Sequence, residues 1–244
     1  GSEMCIRDRI RPGSDGSLPF DFTSYNSKLY MSANDGTGEE LWVYDGTNFS
    51  MAANINPAAG QGSLLGGLTA YNGLLYFQAN DGTNGRALWS WNGTTAQMVH
   101  DFDSTGMGWG PDNLVAFKNK LYLNASDHAG RTVWWNYDGT TVTKLTGTQQ
   151  YPEIFSPLWG TELDEKLYFT AYADSATFKQ SMFAFDGTTI KPIYEDFPQL
   201  DTSVPQHLTV IGNTLYFQNE GDSIGTELFY FTPASDPCYC PEPK

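Results

Sequence analysis

The sequence predicts an all-β fold made of five tandem repeats, each about 46 residues long. The dipeptide Leu-Tyr recurs along the 244 residues at intervals of 46, 46, 46 and 48 residues. Its copies are Leu29-Tyr30, Leu75-Tyr76, Leu121-Tyr122, Leu167-Tyr168 and Leu215-Tyr216. A nearly fixed period of this length indicates a repeat architecture, so residues that recur are expected first of all to build the repeat.

Each repeat contains four segments with the character of a β-strand. The first is an apolar run that ends in a two-residue turn such as Asn72-Gly73, and the Leu-Tyr strand follows it. After a polar loop, the third strand carries two aromatic residues spaced by two, which places both rings on one face. These pairs are Trp42/Tyr44, Trp89/Trp91, Trp135/Tyr137, Phe183/Phe185 and Phe229/Phe231. A turn such as Asp45-Gly46-Thr47 then leads into the fourth strand, as expected for antiparallel hairpins.

Four antiparallel strands in about 46 residues, repeated in tandem, are typical of a β-propeller blade. Helical repeats of similar length would show apolar residues spaced by three and four. Here the spacing is two, and glycine-containing turns interrupt each segment. The sequence therefore predicts a five-bladed β-propeller with four antiparallel strands in each blade.

The fifth repeat is incomplete, because Thr232-Pro233-Ala234 stands where an Asp-Gly-Thr turn is expected. Near the start of the chain, residues 10–18 resemble residues 55–64, which end a fourth strand and lead into the next blade. We therefore expect an N-terminal strand to complete the last blade, which would close the ring and remove exposed sheet edges. The alternative is that the chain is an incomplete piece of a longer repeat array.

Both ends of the chain differ from the repeats. Gly1-Ser2 resembles an expression scar, and residues 3–9 resemble a translated sequencing adapter, a contaminant of open reading frames from environmental DNA. The expected division is therefore an artefact over 1–9, the propeller over 10–232, and a proline-rich tail or linker over 233–244. We expect a monomeric domain within a longer chain.

Cysteine occurs only in these two ends, as Cys5, Cys238 and Cys240. Closure of the ring by the N-terminus would bring Cys5 near the C-terminal pair, so a disulfide between them is one expectation. The other, which we favour, is that Cys5 belongs to the artefact and that the remaining two belong to the tail.

The net charge of −15, from 13 basic and 28 acidic residues, argues against some classes of partner. Nucleic acids and anionic membrane surfaces both attract basic patches, so neither is expected to bind this chain. No apolar run reaches the 18 or so residues of a membrane span, and membrane insertion is not expected. Aromatic residues make up 15% of the chain, as expected when blades pack ring against ring.

Residues 40–47, Glu-Leu-Trp-Val-Tyr-Asp-Gly-Thr, match the hallmark of the ELWxxDGT-repeat proteins, also described as hyalin-like repeats. Residues 87–94 are a near match, residues 134–140 and 182–188 are degenerate copies, and residues 227–229 retain the front half. The resemblance covers about residues 10–232. It implies a large secreted or surface protein of bacterial origin, and such repeats usually have no defined activity. In size and blade count the layout is also similar to five-bladed lectins of the tachylectin-2 type, an analogy of shape alone.

The connections between blades are the least repetitive segments: residues 56–67, 103–112, 146–157 and 198–206. They are expected on the same edge as the loops between second and third strands, and variable loops on a rigid scaffold are where binding concentrates. Trp109 and Tyr151 offer aromatic planes that, beside Asp112, are typical of carbohydrate recognition. The candidate ligand-binding residues are Trp109, Asp112, Tyr151, Asp35, Asp81, Asp127 and His128. The alternative is that Trp109 packs between blades.

The acidic turns have a second interpretation. Asp45, Asp138 and Asp186 precede Gly-Thr, and their carboxylates are expected to accept hydrogen bonds from their own turns. Asn92 replaces aspartate in one copy, which favours that role over calcium binding. The loops at Asp35 and Asp81 supply too few oxygens for a calcium cage, so no cofactor is expected, although calcium stays open.

Catalysis has little support in the sequence. The histidines are scattered over different repeats, and no zinc spacing, nucleophile elbow or phosphate-binding loop is present. The favoured function is a binding module at the cell surface or outside the cell, recognising a glycan or a protein. One alternative is a purely structural or adhesive repeat domain with no small-molecule site. A weaker alternative is a glycoside-active enzyme, which would need a pair of carboxylates in a cleft.

Overall fold

The computed structural model describes residues 9–102, 110–127, 131–145, 155–172, 180–193, 205–221 and 225–232. Their strands form antiparallel sheets, which confirms the all-β prediction. The chain divides into two compact units, Gly1–Thr143 and Lys144–Lys244. Within the described ranges, no helix is long and apolar enough to cross a membrane.

The first unit holds the first three repeats, whose strands pair with their neighbours in chain order. The first sheet contains β1 (Phe20–Tyr25), β2 (Lys28–Asn34), β3 (Glu39–Tyr44) and β4 (Phe49–Ala53). The second contains β5 (Gly66–Tyr71), β6 (Leu74–Asn80), β7 (Arg86–Trp91) and β8 (Ala96–Asp101). The third repeat contributes β9 (Asp112–Phe117), β10 (Lys120–Ser126), β11 (Thr132–Tyr137) and β12 (Val142–Lys144).

The second unit holds the fourth and fifth repeats. The fourth repeat contributes β13 (Phe155–Leu163), β14 (Lys166–Tyr172), β15 (Gln180–Phe185) and β16 (Ile190–Pro192). The fifth contributes β17 (Gln206–Ile211), β18 (Thr214–Gly221) and β19 (Gly225–Phe231). In the part of the chain that the structure describes, the sheet of the fifth repeat has these three strands and no fourth.

The first two strands of each repeat are joined by the predicted tight turns. Asn26 and Ser27 have φ angles of 48° and 59°, and Asn72 and Gly73 have 46° and 76°. Positive φ at both central residues is the property of the hairpin turn whose twist matches the strands it joins. These angles confirm the expectation of positive φ at the turns. Asparagine and glycine suit them because both reach this region of backbone conformation at low cost.

A second positive-φ position recurs inside the first strand, and sequence reasoning missed it. It is occupied by Asp21, Gly67, Asn113 and His207, with φ angles of 55°, 70°, 49° and 56°. The pairing of β1 with β2, of β5 with β6, of β9 with β10 and of β17 with β18 shifts register around it. The position is therefore a β-bulge that recurs at the same place in these four repeats. Its residues are of types that tolerate a left-handed backbone.

Consecutive repeats pack through unlike faces. The forward face of the first repeat, formed by Tyr25, Tyr30, Leu41 and Val43, packs against the backward face of the second, formed by Leu68, Leu75, Phe77 and Trp91. A similar apolar cluster joins the second repeat to the third, and another joins the fourth to the fifth. Burying one leucine of such a face contributes roughly 2 kcal/mol, so these faces supply most of the stabilisation between repeats.

Hydrogen bonds repeat along with the apolar contacts. Thr23 Oγ1 donates to the Leu68 carbonyl, and Tyr25 Oη donates to the Gly73 carbonyl, both at 2.8 Å. One repeat later, Thr69 donates to Leu114 at 3.2 Å and Tyr71 donates to Asn119 at 2.6 Å. The bulge residue Asp21 adds a third bond in the first pair by accepting from the Leu68 N–H at 2.9 Å.

The Leu-Tyr tyrosine of one repeat meets the second aromatic residue of the next. Trp91 Nε1 donates to Tyr30 Oη at 3.3 Å, and the ring centroids of Tyr76 and Tyr137 lie 5.8 Å apart. In the second unit, Tyr168 and Phe231 lie 5.7 Å apart. Burial raises the pKa of Tyr76 to about 12, since the phenolate would lose its hydration there. The tyrosine of each Leu-Tyr pair and the second aromatic residue of the third strand therefore recur because they contact each other between consecutive repeats.

Residues 9–19 form no strand. Pro12 and Pro19 lack a backbone donor, and the segment instead lies on the first sheet, where Ile10 packs against Met31 and Trp42. Asn34 N donates to the Ser17 carbonyl at 2.9 Å, just as Asn80 N donates to the Ser63 carbonyl at 2.7 Å one repeat later. The resemblance of residues 10–18 to residues 55–64 is therefore a resemblance of connections. The closing strand would precede it, in residues 1–8, outside the described residues, and it stays a prediction.

Candidate functional site

The connection between the first and second repeats is fixed by one buried carboxylate. Glu40 is 2% exposed, and its two carboxylate oxygens accept hydrogen bonds from Ile55 N at 2.8 Å and from Asn56 N at 3.1 Å. Burial raises the pKa of the Glu40 carboxyl above its usual range, although these hydrogen bonds act in the opposite direction. Glu40 thus joins β3 to the start of the connection.

The far end of the connection is fixed by Ser63. Ser63 donates to the Glu39 carbonyl from its backbone N–H at 2.7 Å and from its hydroxyl at 2.9 Å. The two chains approach so closely here that a Cβ on Gly38, whose φ is +153°, would lie 2.0 Å from the Gln61 carbonyl oxygen. A Cβ on Gly62 would lie 2.7 Å from Glu39 N. Glycine is therefore required on both sides of this contact.

Asn56 completes the attachment. Its Nδ2 donates to the Gly62 carbonyl at 3.2 Å, its Oδ1 accepts from Ala58 N at 3.2 Å, and it lies against Gly82 of the next repeat's loop. We call residues 34–40, 54–64 and 80–84 the connector platform. For this connection, the expectation that connections and second-to-third-strand loops share one edge is confirmed. Residues 57–61, between the anchors, are exposed.

Four aspartates of the predicted ligand set are described, and each bonds its own surroundings. Asp35 Oδ1 accepts from the Thr37 hydroxyl at 2.6 Å and from Thr37 N at 2.9 Å. Asp81 accepts from the backbone N–H groups of Thr83 and Asn84, both at 2.8 Å. Hydrogen bonds from Thr37 lower the pKa of Asp35; at Asp81, desolvation raises the pKa but the hydrogen bonds from Asn84 and Thr83 outweigh it. Both side chains hold their loops in shape.

The other two aspartates are also engaged locally. Asp112 Oδ1 accepts from Asn113 N at 2.7 Å. Asp127 is buried and accepts from Arg131 N at 3.0 Å, with the Arg131 guanidinium 3.5 Å from its second oxygen. Among the described residues, no three His, Cys, Asp or Glu side chains are grouped as a metal site would require. The described part of the predicted set therefore forms separate local structures rather than one pocket.

The remaining predicted site residues lie outside the described residues. These are Trp109, Tyr151, His128, Cys5, Cys238 and Cys240. The expectations of an aromatic sugar-binding plane and of a terminal disulfide stay predictions.

The Asp-Gly-Thr turns have the structural role that the sequence favoured. Asp45 Oδ1 accepts from Thr47 N and Asn48 N at 2.8 Å each, and Asp138 and Asp186 repeat this pattern. Asn92 accepts from Thr94 N and Thr95 N at 2.9 Å. This confirms the interpretation of these residues as turn formers. Bonds from Asn48 and Thr47 lower the pKa of Asp45, and bonds from Thr141 and Thr140 lower that of Asp138.

Replacing Asp45 and Asp138 together with asparagine is expected to reduce the sensitivity of the fold to acid. Because their folded-state pKa values are lowered, their stabilisation is present above the unfolded-state pKa and is lost as the pH falls through the folded-state pKa. Asparagine keeps the turn acceptor, as Asn92 does, but does not titrate. Thermal melts from about pH 2 to pH 6 should show a smaller acid loss for D45N/D138N than for the wild type. An equal loss would contradict this role.

One further cavity lies on the first sheet, between that sheet and residues 9–19. It has a volume of about 400 Å³ and is open to solvent along the segment. Its lining includes Phe22, Leu29, Met31, Phe49, Arg11 and Asp15. Arg11 and Asp15 form an ion pair at 2.8 Å, and Asp15 is the single carboxylate among the residues that line this cleft. Glycoside hydrolysis normally uses two carboxylates, so this cleft does not supply them.

Sequence reasoning missed Glu40 as a structural anchor. Its counterparts in the next three repeats are Ala87, Val133 and Ser181, all buried. The fifth repeat has Glu227 here, so the available signal was an acid at a position that is small or apolar in the three repeats between. In the sequence alone, Glu40 is only the first residue of the repeat motif.

The sequence matches no protein-family model and no curated protein. Among solved structures, it is similar to the β-propeller domain of the Trilobed protease from Pyrococcus furiosus, with 10% identity and a TM-score of 0.57 over 87% of this chain and 68% of that one. The fold is of the β-propeller type. The chain is also similar to acylaminoacyl peptidase from Pyrococcus horikoshii, with 9% identity and a TM-score of 0.50, over 84% of this chain and about a third (32%) of the peptidase.

A third solved structure is the SapL1 lectin in complex with alpha methyl fucoside. It is 13% identical, with a TM-score of 0.45 over 87% of this chain and 80% of that chain. At these identities the likenesses concern the fold alone, because one scaffold of this kind serves many unrelated functions.

Proposed function

We propose that this chain is a binding module of a secreted or cell-surface bacterial protein of the ELWxxDGT-repeat kind, and that it recognises a glycan or a protein through the connector platform. The observation that supports this most directly is that the first connection is anchored at its two ends and exposed in its middle. Ile55, Asn56 and Ser63 are anchored, whereas residues 57–61 are exposed and take no part in the apolar core. Exposed segments on rigid supports are where recognition concentrates.

A steric test follows from this division. Ala59→Trp places a bulky side chain in the exposed segment without touching an anchor, so binding should weaken by about tenfold or more while the melting temperature stays unchanged. Thr47→Trp is the matched control, since Thr47 is exposed in the turn at the opposite edge of the first sheet. A glycan array identifies the saccharide, and titration calorimetry measures the affinity of the three proteins. Equal binding by A59W and the wild type would locate recognition elsewhere.

The runner-up function is a structural or adhesive repeat domain without a small-molecule site. It is supported by the four described aspartates, all of which bond their own surroundings. An array on which no saccharide binds, together with no effect of A59W on adhesion, would favour it. The glycoside-active alternative gains nothing from the first-sheet cleft, whose lining has one carboxylate.

We also propose that the fold needs no calcium. Each described acidic turn closes with backbone or side-chain donors of its own, and calcium prefers six to eight oxygens in one cage. Adding EDTA is expected to leave the melting temperature unchanged. A fall that added calcium reverses would contradict this proposal.

A further inference from the structure

Three asparagines of the chain directly precede glycine: Asn72, Asn84 and Asn92. Asparagine is one of the chemically labile residues, and it reacts most readily before glycine, which has no side chain to shield its backbone nitrogen. All three pairs lie in the continuously described residues 9–102 of the first unit. Their surroundings can therefore be compared directly.

Hydrogen bonds hold the side chains of Asn84 and Asn92. Asn84 is half-buried, and its Nδ2 donates to Asp81 Oδ2 at 2.7 Å. Asn92 Oδ1 accepts from the backbone N–H groups of Thr94 and Thr95 at 2.9 Å each, and its Nδ2 donates to Thr95 Oγ1 at 3.0 Å. These bonds must break before either amide carbon can turn toward the nitrogen of the following glycine.

Asn72 is held in neither way. Asn72 and Gly73 are both exposed, in the hairpin turn between β5 and β6. Among the described residues, none forms a hydrogen bond with the Asn72 side chain. Apart from the chain neighbours of Gly73, no atom lies within 4 Å of the position that a Cβ on this glycine would take. The Asn72 amide can therefore rotate toward Gly73, and there is room for a ring to close between them.

We infer that Asn72 is a site of spontaneous deamidation, and that the isoaspartate formed there weakens the contact between the first and second repeats. The backbone nitrogen of Gly73 attacks Asn72 Cγ and loses its proton to solvent. The side-chain nitrogen takes a proton from solvent and leaves as ammonia, which closes a succinimide ring. Water then opens the ring at one carbonyl to give aspartate or at the other to give isoaspartate. Each conversion consumes one water and releases one ammonia.

The contacts of this turn give isoaspartate its structural effect. Isoaspartate carries the main chain through its side chain, which adds one methylene to a turn of two residues. Tyr71 and Leu74 are paired directly across this turn, so the pairing leaves no slack for a longer connection. The Gly73 carbonyl accepts a hydrogen bond from Tyr25 Oη of the first repeat at 2.8 Å. Lengthening the turn displaces this carbonyl, and the tyrosine hydroxyl loses its acceptor.

The first repeat offers a matched control for the role of glycine. Its hairpin turn is Asn26-Ser27, with φ angles of 48° and 59°, against 46° and 76° for Asn72 and Gly73. The serine side chain stands next to the attacking nitrogen and hinders it. Gly73→Ser gives the second hairpin the same two residues, and the open space around Gly73 accepts the added Cβ. We therefore expect G73S to fold like the wild type and to keep the carbonyl that Tyr25 bonds.

The first part of the test measures where the reaction occurs. The folded protein is aged in mildly alkaline buffer, and its peptides are mapped by mass spectrometry with fragmentation that distinguishes isoaspartate from aspartate. Asn72 should convert at least about tenfold faster than Asn84 and Asn92, because it has no hydrogen bonds to break. In denaturant the three asparagines should convert at similar rates. In G73S, the conversion of Asn72 should slow by at least about tenfold as well.

The second part measures the effect on the contact between repeats. The isoaspartate form, separated by ion exchange, should melt below the unaged wild type. Asn72→Asp adds the charge without the methylene and should melt close to the wild type. In Tyr25→Phe the hydrogen bond to Gly73 is already absent, so isoaspartate should lower the melting temperature less than it does in the wild type.

Equal rates at the three asparagines of the folded protein, or no conversion of Asn72, would overturn the assignment of the site. An isoaspartate form with the melting temperature of the unaged protein would overturn the weakening of the contact. An equal fall in the wild type and Y25F would show that the Tyr25 bond is not what the modification breaks.

Discussion

Replacing Gly38 with alanine is expected to destabilise the first unit by about 3 kcal/mol or more. This is a large effect for a substitution that adds one methyl group and removes no contact. The added Cβ would lie 2.0 Å from the Gln61 carbonyl oxygen, which is backbone and cannot rotate away. The φ of +153° adds strain for a residue with a side chain. In thermal unfolding this should appear as a fall of roughly 10 °C or more in melting temperature.

Gly93→Ala is the matched control for this prediction. Its φ is +101°, but no atom lies within 4 Å of the added Cβ, so only the backbone strain remains. We expect a loss of about 1–2 kcal/mol. If the two alanine variants had the same melting temperature, the close approach of residues 38 and 61 would not be a constraint on this fold.

Replacing Glu40 with leucine is the second prediction of large effect. The change keeps a side chain of similar size but makes it apolar, so it removes both acceptors from the N–H groups of Ile55 and Asn56. Buried donors without partners cost about 1–3 kcal/mol each, so we expect a loss of about 3 kcal/mol. Because the same bonds position the connection, ligand binding at the connector platform should fall as well. Chemical denaturation and calorimetry measure the two effects.

The pH dependence separates the anchor from a simple packing role. The folded-state pKa of Glu40 is raised, so its contribution to stability is greatest below the unfolded-state pKa and declines as the pH rises through the folded-state pKa. Glu40→Gln keeps one acceptor and does not titrate, so its stability should lack this decline. Glu39→Gln removes a carboxylate whose charge also helps to raise the pKa of Glu40, so the decline for this variant should be smaller than that of the wild type but should not vanish as in E40Q. Identical pH profiles for the wild type and E40Q would show that the pKa of Glu40 is not raised in the folded state.

The parts of the fold that could be predicted from the sequence depend on interactions between residues that are close together in the chain. The hairpin at Asn72-Gly73 and the turn at Asp45 follow from local backbone preferences and side-chain acceptors, and both are present. The Leu-Tyr strands were recognisable because packing between repeats imposes the same burial on every copy. Leu75 is buried for the same reason as Leu121.

The parts that were missed depend on contacts between distant residues. The Glu40 anchor joins positions 15 and 16 residues apart, and the Gly38 contact depends on how closely residue 61 approaches. No local motif marks Ile55, Asn56 or Gln61 as the partners in these contacts. The bulge at Asp21 escaped notice because its four described copies share a backbone angle and no residue type. A sequence repeat is recognised from residue types that recur, whereas at this position only the backbone conformation recurs.

The attachment of the first connection has a consequence for variation. Its anchors Ile55, Asn56 and Ser63 flank residues 57–60, whose side chains are exposed. Since each doubling of a loop's length costs only about 0.6 kcal/mol in closure entropy, this segment can lengthen or change composition at small cost to folding. The same scaffold can therefore carry unrelated peptide inserts at this point, which makes it a natural place for lineages to diverge and for a foreign epitope to be grafted.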